Sequence, residues 1–293
     1  MQMKYCRVIL HQYPNKSLVI FLCFVLLTFL YAPTNAYVLP GPYILELMTQ
    51  NLGKAKSLLV SQTLVIHDDG PQKTGVELSE TLRYVFPEMF RSDTLSEDVH
   101  RIHIFSKGEA LTVIDKKASN ESKNRYDHYK DLLLFRSRKM LQDKLSLLGV
   151  DVTVSSLGRF QGEPAYVLGT QYPDETVPQV WLDKDTFRPF RWIMTGKAEQ
   201  SQENSLEVRY FEWRKVHHTW YPMRIEFFAT GILVREIHVQ NIKVNPSFPD
   251  ELFDIEHLKS LYPQIAPAEQ EQGNKEDMNE VQKTIEDFKK LYE

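Results

Sequence analysis

The spacing of apolar positions changes character along the chain, and each change marks an element. After Pro40-Gly41-Pro42, the residues Ile44, Leu45, Met48, Leu52 and Ala55 fall on one stripe of 3.6-residue period. They predict a short amphipathic helix ending near Gly53. The period then drops to two. Leu58, Val60, Leu64 and Ile66 alternate with polar partners, broken only by Gln62, up to a turn at Asp68-Asp69-Gly70-Pro71. A second strand places Val76, Leu78, Leu82, Tyr84 and Phe86 on one face and Glu77, Ser79, Thr81 and Arg83 on the other. Short strands are predicted at 99–105 and 110–115, on either side of a Lys107-Gly108-Glu109 turn.

Residues 120–148 read as one helix. Tyr129, Leu132, Leu133, Arg136, Met140, Lys144 and Leu147 trace a stripe that is part apolar and part cationic, and Gly149 fits the position just past its end. From 150 to 244 the chain is a meander, with strands at 150–157, 165–171, 179–183, 188–195, 206–213, 220–229 and 232–244. Thr230-Gly231 between the last two predicts a tight hairpin. About eleven antiparallel strands with a few helices give an α+β fold, since strands and helices do not alternate regularly. Beyond Pro263, residues 264–277 have the composition of a solvated linker. Met278, Val281, Ile285, Phe288 and Leu291 or Tyr292 then follow helical spacing. That helix is expected to dock on the domain; a partner's groove is the sharper alternative.

The N-terminus follows a different pattern. Lys4, Arg7 and Lys16 precede an apolar run from Leu18 to Tyr31, interrupted only by Thr28. Thr34 and Ala36 supply small residues after Pro33. This is the layout of a cleavable secretory signal over 1–36. The competing reading is a retained anchor, but the run is shorter than the roughly 20 residues a spanning helix needs. Cleavage takes away both cysteines, Cys6 and Cys23, and with them disulfide, thiol and Cys-zinc chemistry. It also removes three of 35 basic residues and none of 39 acidic ones, leaving 32 against 39 and a net charge of −7. A chain so charged is not expected to bind nucleic acid.

Catalytic signatures are missing: there is no G-x-S-x-G, H-E-x-x-H, P-loop or G-x-G-x-x-G. The histidines are scattered, and His100 and His103, three apart on a strand, point to opposite faces. No catalytic residue, metal or cofactor is expected, and the chain is read as a non-enzyme. Aromatic residues are more informative. Trp181, Trp192, Trp213 and Trp220 lie in the strand-rich half, and adjacent pairs such as Tyr210-Phe211 and Phe227-Phe228 put apolar rings on both faces of the sheet. Those faces need covering by helices or by a ligand.

The stretch PYILELMTQNLGKAKSLLVSQTLVIHD, then VWLDKDTFRPFRW, RYFEWRKV, WYPMRIEFF and VNPSFPDELFDI, resembles the outer-membrane lipoprotein-sorting (LolA-like) periplasmic proteins of Gram-negative bacteria. The likeness runs over residues 40–260 and extends more loosely to RseB-type envelope sensor domains. It implies a half-open antiparallel β-barrel within 37–263, with helices over its concave face and an apolar cavity for acyl chains. Leu45, Met48, Leu82, Tyr84, Phe86, Trp192, Tyr210 and Phe227 are the candidate cavity and lid residues, and the helices at 43–55 and 123–148 the candidate lids. The implied function is a periplasmic carrier of lipid or lipoprotein acyl chains, with a possible inner- or outer-membrane protein partner. The alternative is an envelope sensor module that binds an inner-membrane protein. One feature departs from the family: in YVFPEMF, Phe86 stands before Pro87, where the carriers have a basic residue that ties the lid shut.

Overall fold

The computed structural model describes residues 38–67, 76–96, 100–119, 124–195 and 205–262. The leader at 1–36, the linker and helix at 264–293, the turn at 68–71 and most of the loop at 197–205 lie outside the described residues. Thirteen strands are present: β1 (Ser57–Ile66), β2 (Val76–Val85), β3 (Met89–Leu95), β4 (His100–Ser106), β5 (Glu109–Ile114), β6 (Lys117–Ser119), β7 (Ser155–Phe160), β8 (Glu163–Leu168), β9 (Gln179–Asp183), β10 (Pro189–Met194), β11 (Leu206–Val216), β12 (Thr219–Ala229) and β13 (Ile232–Val244).

All thirteen join one sheet in the order β6-β5-β4-β3-β2-β1-β13-β12-β11-β10-β9-β8-β7. Every neighbouring pair is antiparallel, and only β1 and β13 are non-consecutive. Two meanders therefore meet at the centre. The first runs outward from β1 to β6, helices carry the chain across one face, and the second returns from β7 to β13. The edge strands β6 and β7 are not paired with each other, so the sheet is not closed.

The count of about eleven fell short because β3 and β6 leave little apolar trace. On β3 the inward positions Phe90, Ser92 and Thr94 oppose Tyr84, Leu82 and Glu80 of β2, so its buried face is mostly polar. The three-residue β6 follows a turn in which Asp115 and Lys116 both take positive φ without glycine. The Thr230-Gly231 hairpin is present, with φ of 50° and 81°, as a two-residue turn of this twist requires.

The predicted helix over 120–148 is instead three short pieces: a 3-10 helix (Arg125–Lys130), α2 (Asp131–Leu134) and α3 (Arg138–Leu147). Leu132, Leu133, Leu134 and Phe135 are all buried. Four consecutive buried residues cannot share one stripe of a helix, so the chain turns over at Phe135 and Ser137, both extended. As a result α3 buries Leu141 and Leu145, while Leu147, placed on the predicted stripe, is exposed. Gly149 takes φ 86°, and the N–H of Val150 reaches the Leu145 carbonyl at 3.0 Å, closing the helix end as expected. The remaining helices among the described residues are α1 (Gly41–Asn51), a 3-10 turn (Asp250–Phe253) and α4 (Ile255–Leu261).

The main core lies between one face of the sheet and the cover formed by α1, the 125–130 turn, α2 and α3. The outer face carries two smaller clusters. Ile102, Ile104, Leu111 and Val113 pack beneath α4, and Ala165, Val167 and Trp181 pack with Phe160 and Phe190. Elsewhere on the outer face, arginines replace the covering helix or ligand that the paired aromatics were expected to need. Arg224 lies 4.5 Å from the Phe211 ring and Arg209 4.0 Å from Phe228. A guanidinium over a ring face shields it from water while keeping its own charge solvated.

Candidate functional site

Strand alternation decides which candidate residues meet. Leu82 and Tyr84 on β2, Trp192 on β10, Tyr210 on β11 and Phe227 on β12 point to the covered face, and Leu45 and Met48 meet them from α1. All seven are buried in the main core, and Phe86, half-buried, packs against it where β2 ends. Tyr84 stacks on Phe86 at 5.9 Å and meets Phe90 edge-on at 5.0 Å. Phe227 receives Tyr129 of the cover at 5.6 Å, and the Tyr210 hydroxyl donates to the Tyr129 carbonyl at 2.8 Å. Glu212 takes φ 55°, which turns its side chain outward to Arg224 and lets the next residue, Trp213, join the covered face.

The two helical parts of the cover are held differently. Both ends of α1 are fixed to strands or loops. The Leu52 carbonyl accepts from Trp220 N–H at 3.0 Å, and a Cβ on Gly53 would come within 2.1 Å of the His218 carbonyl oxygen. At the other end Gly41 sits against the Val152 carbonyl just as closely, and Ser155 donates to the Leu39 carbonyl at 2.8 Å. The 124–148 segment is tied through side chains instead. Beyond the Tyr210 bond, Arg101 of β4 pairs with Asp127 at 2.7 Å, Gln62 of β1 donates to the Tyr129 hydroxyl at 3.3 Å, and Arg138 faces Glu46 of α1 at 3.7 Å between exposed side chains.

A polar end of the covered face was not foreseen. Gln62, which interrupts the β1 stripe, donates to Glu80 at 2.6 Å, and Ser92 also donates to Glu80. Next to them Arg101 pairs with Asp127 of the cover at 2.7 Å, and the Lys130 ammonium donates to the Asp127 carbonyl at 2.5 Å. Burial alone would raise the Asp127 pKa, but Arg101, backed by His103 and Lys130, holds it well below the usual carboxylate range. Burial pushes His103 down to about 3 against the pull of Asp127. Its Nδ1 lies 3.0 Å from the Thr112 hydroxyl. Each carboxylate in this cluster is taken up by a neighbour. The signal available in the sequence was Gln62 and Glu80 standing at inward positions of otherwise apolar stripes.

Arg136 was visible as a cation within the 120–148 stripe, and the structure gives it a place. It lies in the break between α2 and α3 with its guanidinium carbon 4.4 Å from the Phe86 ring centre. The aromatic Phe86 before Pro87 is thus faced by a cation from the cover. Among the described residues no group of three or more His, Cys, Asp or Glu is arranged to hold a metal ion. No helix among them is long and apolar enough to cross a membrane. A surface groove of about 670 Å³ lies between the β4–β5 turn and residues 250–256, is lined by Asp250, Glu251, Asp254 and Glu256 among others, and includes none of the candidate residues.

No family model and no curated protein sequence matches the chain. A crystal structure described as an outer membrane lipoprotein-sorting protein domain from Vibrio parahaemolyticus superposes with a TM-score of 0.52 at 11% identity, over 75% of this chain and 98% of that one. The chain has a LolA-like fold. A LolA superfamily protein from Nitrosomonas europaea gives a TM-score of 0.45 at 12% identity, over 75% of this chain and all of that one. MucB of Pseudomonas aeruginosa, solved in complex with MucA, gives 0.26 at 13% identity, over 72% and 60%. At such identities the likeness is one of fold alone: an open antiparallel sheet with α1, α2 and α3 over one face.

Proposed function

We propose that the chain is a periplasmic carrier that holds lipid, or the acyl chains of a lipoprotein, between the covered face of the sheet and its helices, without catalysing a reaction. The observation behind this reading is that the main apolar core is shared between a rigid sheet and a cover built from separate short pieces. Parting such a cover exposes a continuous apolar surface, and each methylene buried there contributes about 0.8 kcal/mol. Close backbone contacts at Gly41 and Gly53 lock both ends of α1, whereas 124–148 is held to the sheet through side chains, which favours that segment, rather than α1, as the moving part. A non-catalytic role is supported by the polar end, where the carboxylates and His103 are engaged with one another. The periplasmic placement rests on the leader at 1–36.

The test is lipid analysis of protein purified from the periplasm, paired with titration of a neutral apolar fluorophore. Co-purifying lipid, displaced as the fluorophore saturates a single site, is the expected outcome. Protein free of lipid that also leaves the fluorophore unbound would defeat the carrier reading.

A further inference from the structure

Among the described residues, the buried side-chain polar atoms that lack a hydrogen-bond partner are Gln62 Oε1, the three guanidinium nitrogens of Arg136, Trp192 Nε1 and Trp213 Nε1. All lie between the sheet and its cover, and five of the six are donors. Folded proteins rarely bury a donor without an acceptor, and a buried charge without a counter-charge is rarer still. Elsewhere in the same molecule the rule is kept: Arg91 holds Asp93, Arg101 holds Asp127, and Arg191 holds Glu175 and Glu207.

Among the described residues, the surroundings of Arg136 supply no anion. Its neighbours are the Phe86 ring and the hydroxyls of Tyr84 and Tyr221, which lie 3.0 Å apart. Burial raises the pKa of both tyrosines, so both are neutral at ordinary pH. Two phenols in one mutual hydrogen bond have two protons and use one, which leaves a further donor beside the guanidinium. Burial lowers Arg136 itself to about 10, so it stays charged at neutral pH. The position is also where the cover is discontinuous, since Phe135 and Ser137 on either side are extended.

We propose that Arg136, with the Tyr84–Tyr221 pair, is the receptor for the anionic headgroup of the bound amphiphile, a carboxylate or phosphate at the end of an acyl chain. The inference rests on the carrier reading and adds to it: the apolar face takes the chain, and the donors at the end of β2 take its charge. In the structure the Phe86 ring lies over the cation. A carboxylate or phosphate displaces that ring and satisfies donors the protein leaves open. A planar guanidinium binds such oxygens in a bidentate way that a lysine cannot reproduce.

The experiment is displacement of N-phenyl-1-naphthylamine, a neutral fluorophore, from the full chain at pH 7.5 by laurate, dodecyl phosphate and methyl laurate. Laurate and its ester differ in charge and not in chain length. Wild-type protein is expected to prefer the better of the two anions over the ester by roughly ten- to a hundredfold, the range for a charge-assisted hydrogen bond in a desolvated site. The order of laurate and dodecyl phosphate tells carboxylate from phosphate. Arg136→Met should bring the anions to within about threefold of the ester and leave ester affinity unchanged, and Arg136→Lys should narrow the gap without closing it. Equal displacement by anion and ester in the wild type, or a gap that survives Arg136→Met, overturns the proposal and leaves the carrier reading in place. Failure of all three amphiphiles and of the fluorophore to bind overturns both. Should Arg136→Met not fold, the wild-type gap and Arg136→Lys decide the question.

Discussion

On β2 to β4 the covered face presents Glu80, Ser92, Thr94, Arg101 and His103; on β10 to β12 it presents Trp192, Met194, Val208, Tyr210, Ile225 and Phe227. Both ends are buried beneath the same cover, and they treat polar groups differently, although Gln62 Oε1 at the first end also lacks a partner among the described residues. At the first end hydroxyls, carboxylates and cations are matched to one another, down to the Lys130 ammonium on a main-chain carbonyl. At the second, apolar surface dominates, and the indoles of Trp192 and Trp213 find no acceptor among the described residues. A matched buried network fixes the geometry of the strands that carry it. On the carrier reading proposed above, unmatched donors beside apolar surface are binding capacity, and the difference separates the part of the covered face that holds the fold from the part offered to a guest.

The comparison breaks most decisively at Arg101. Replacing it with Met strands the Asp127 carboxylate beneath the cover, and removing one partner of a buried pair costs about 3–5 kcal/mol. The midpoint of urea unfolding should drop accordingly; an unchanged midpoint would show that the polar end does not hold the fold.

Acid is the next largest lever. Folded His103 resists protonation until about pH 3, whereas the unfolded side chain titrates near 6.5. Between those values the unfolded state binds more protons, so stability rises with pH and is lost on acidification from about 6.5 downward, by at most about 1.4 kcal/mol per pH unit from this group. The lowered carboxyl of Asp127 acts in the same direction below about pH 4, because its paired form is lost as pH falls. Denaturant midpoints measured from pH 7 to 4.5 should decline in the wild type and much less in His103→Gln.

At the apolar end a smaller effect is expected. Tyr210→Phe removes the hydroxyl that ties β11 to the cover at Tyr129, at a cost of about 1 kcal/mol. Because that bond spans the sheet and the segment taken to move, fluorophore association should also become faster; slower association would argue that the cover opens elsewhere. The smallest effect belongs to the outer face. Arg209→Ala uncovers the rings of Phe228 and Phe160 and should lower stability by about 0.5–1 kcal/mol while leaving ligand affinity unchanged.

Much of this was legible in the pattern of residues. Strand-like patterning found eleven of the thirteen described strands, with the bounds furthest off at β7, and Thr230-Gly231 and Gly149 marked a hairpin and a helix end. The candidate residues meet in one apolar cluster, those on strands through alternation and Leu45 and Met48 from α1. Two motifs of the resemblance also have visible mechanical reasons. Asp183 accepts from the N–H of Thr186 at 2.7 Å and so shapes the Leu-Asp-x-x-Thr turn, and the Asn245 side chain accepts from Lys56 N–H at 2.7 Å to fasten β13 beside β1. What escaped was β3, whose inward positions are polar, and the break at Phe135, where the run of buried residues is longer than one helical stripe can hold.

The sequence by itself determined periodicity, since whether a residue faces in or out depends on its immediate neighbours and the pleat they share. That is enough to define an antiparallel α+β chain and the apolar character of one face. Pairing between distant segments was decided only by the tertiary structure. Gln62 finds Glu80, Arg101 finds Asp127, and Arg136 meets Phe86 and, among the described residues, no anion. A side chain's periodicity is local, but whether its charge is answered depends on what the fold brings opposite it.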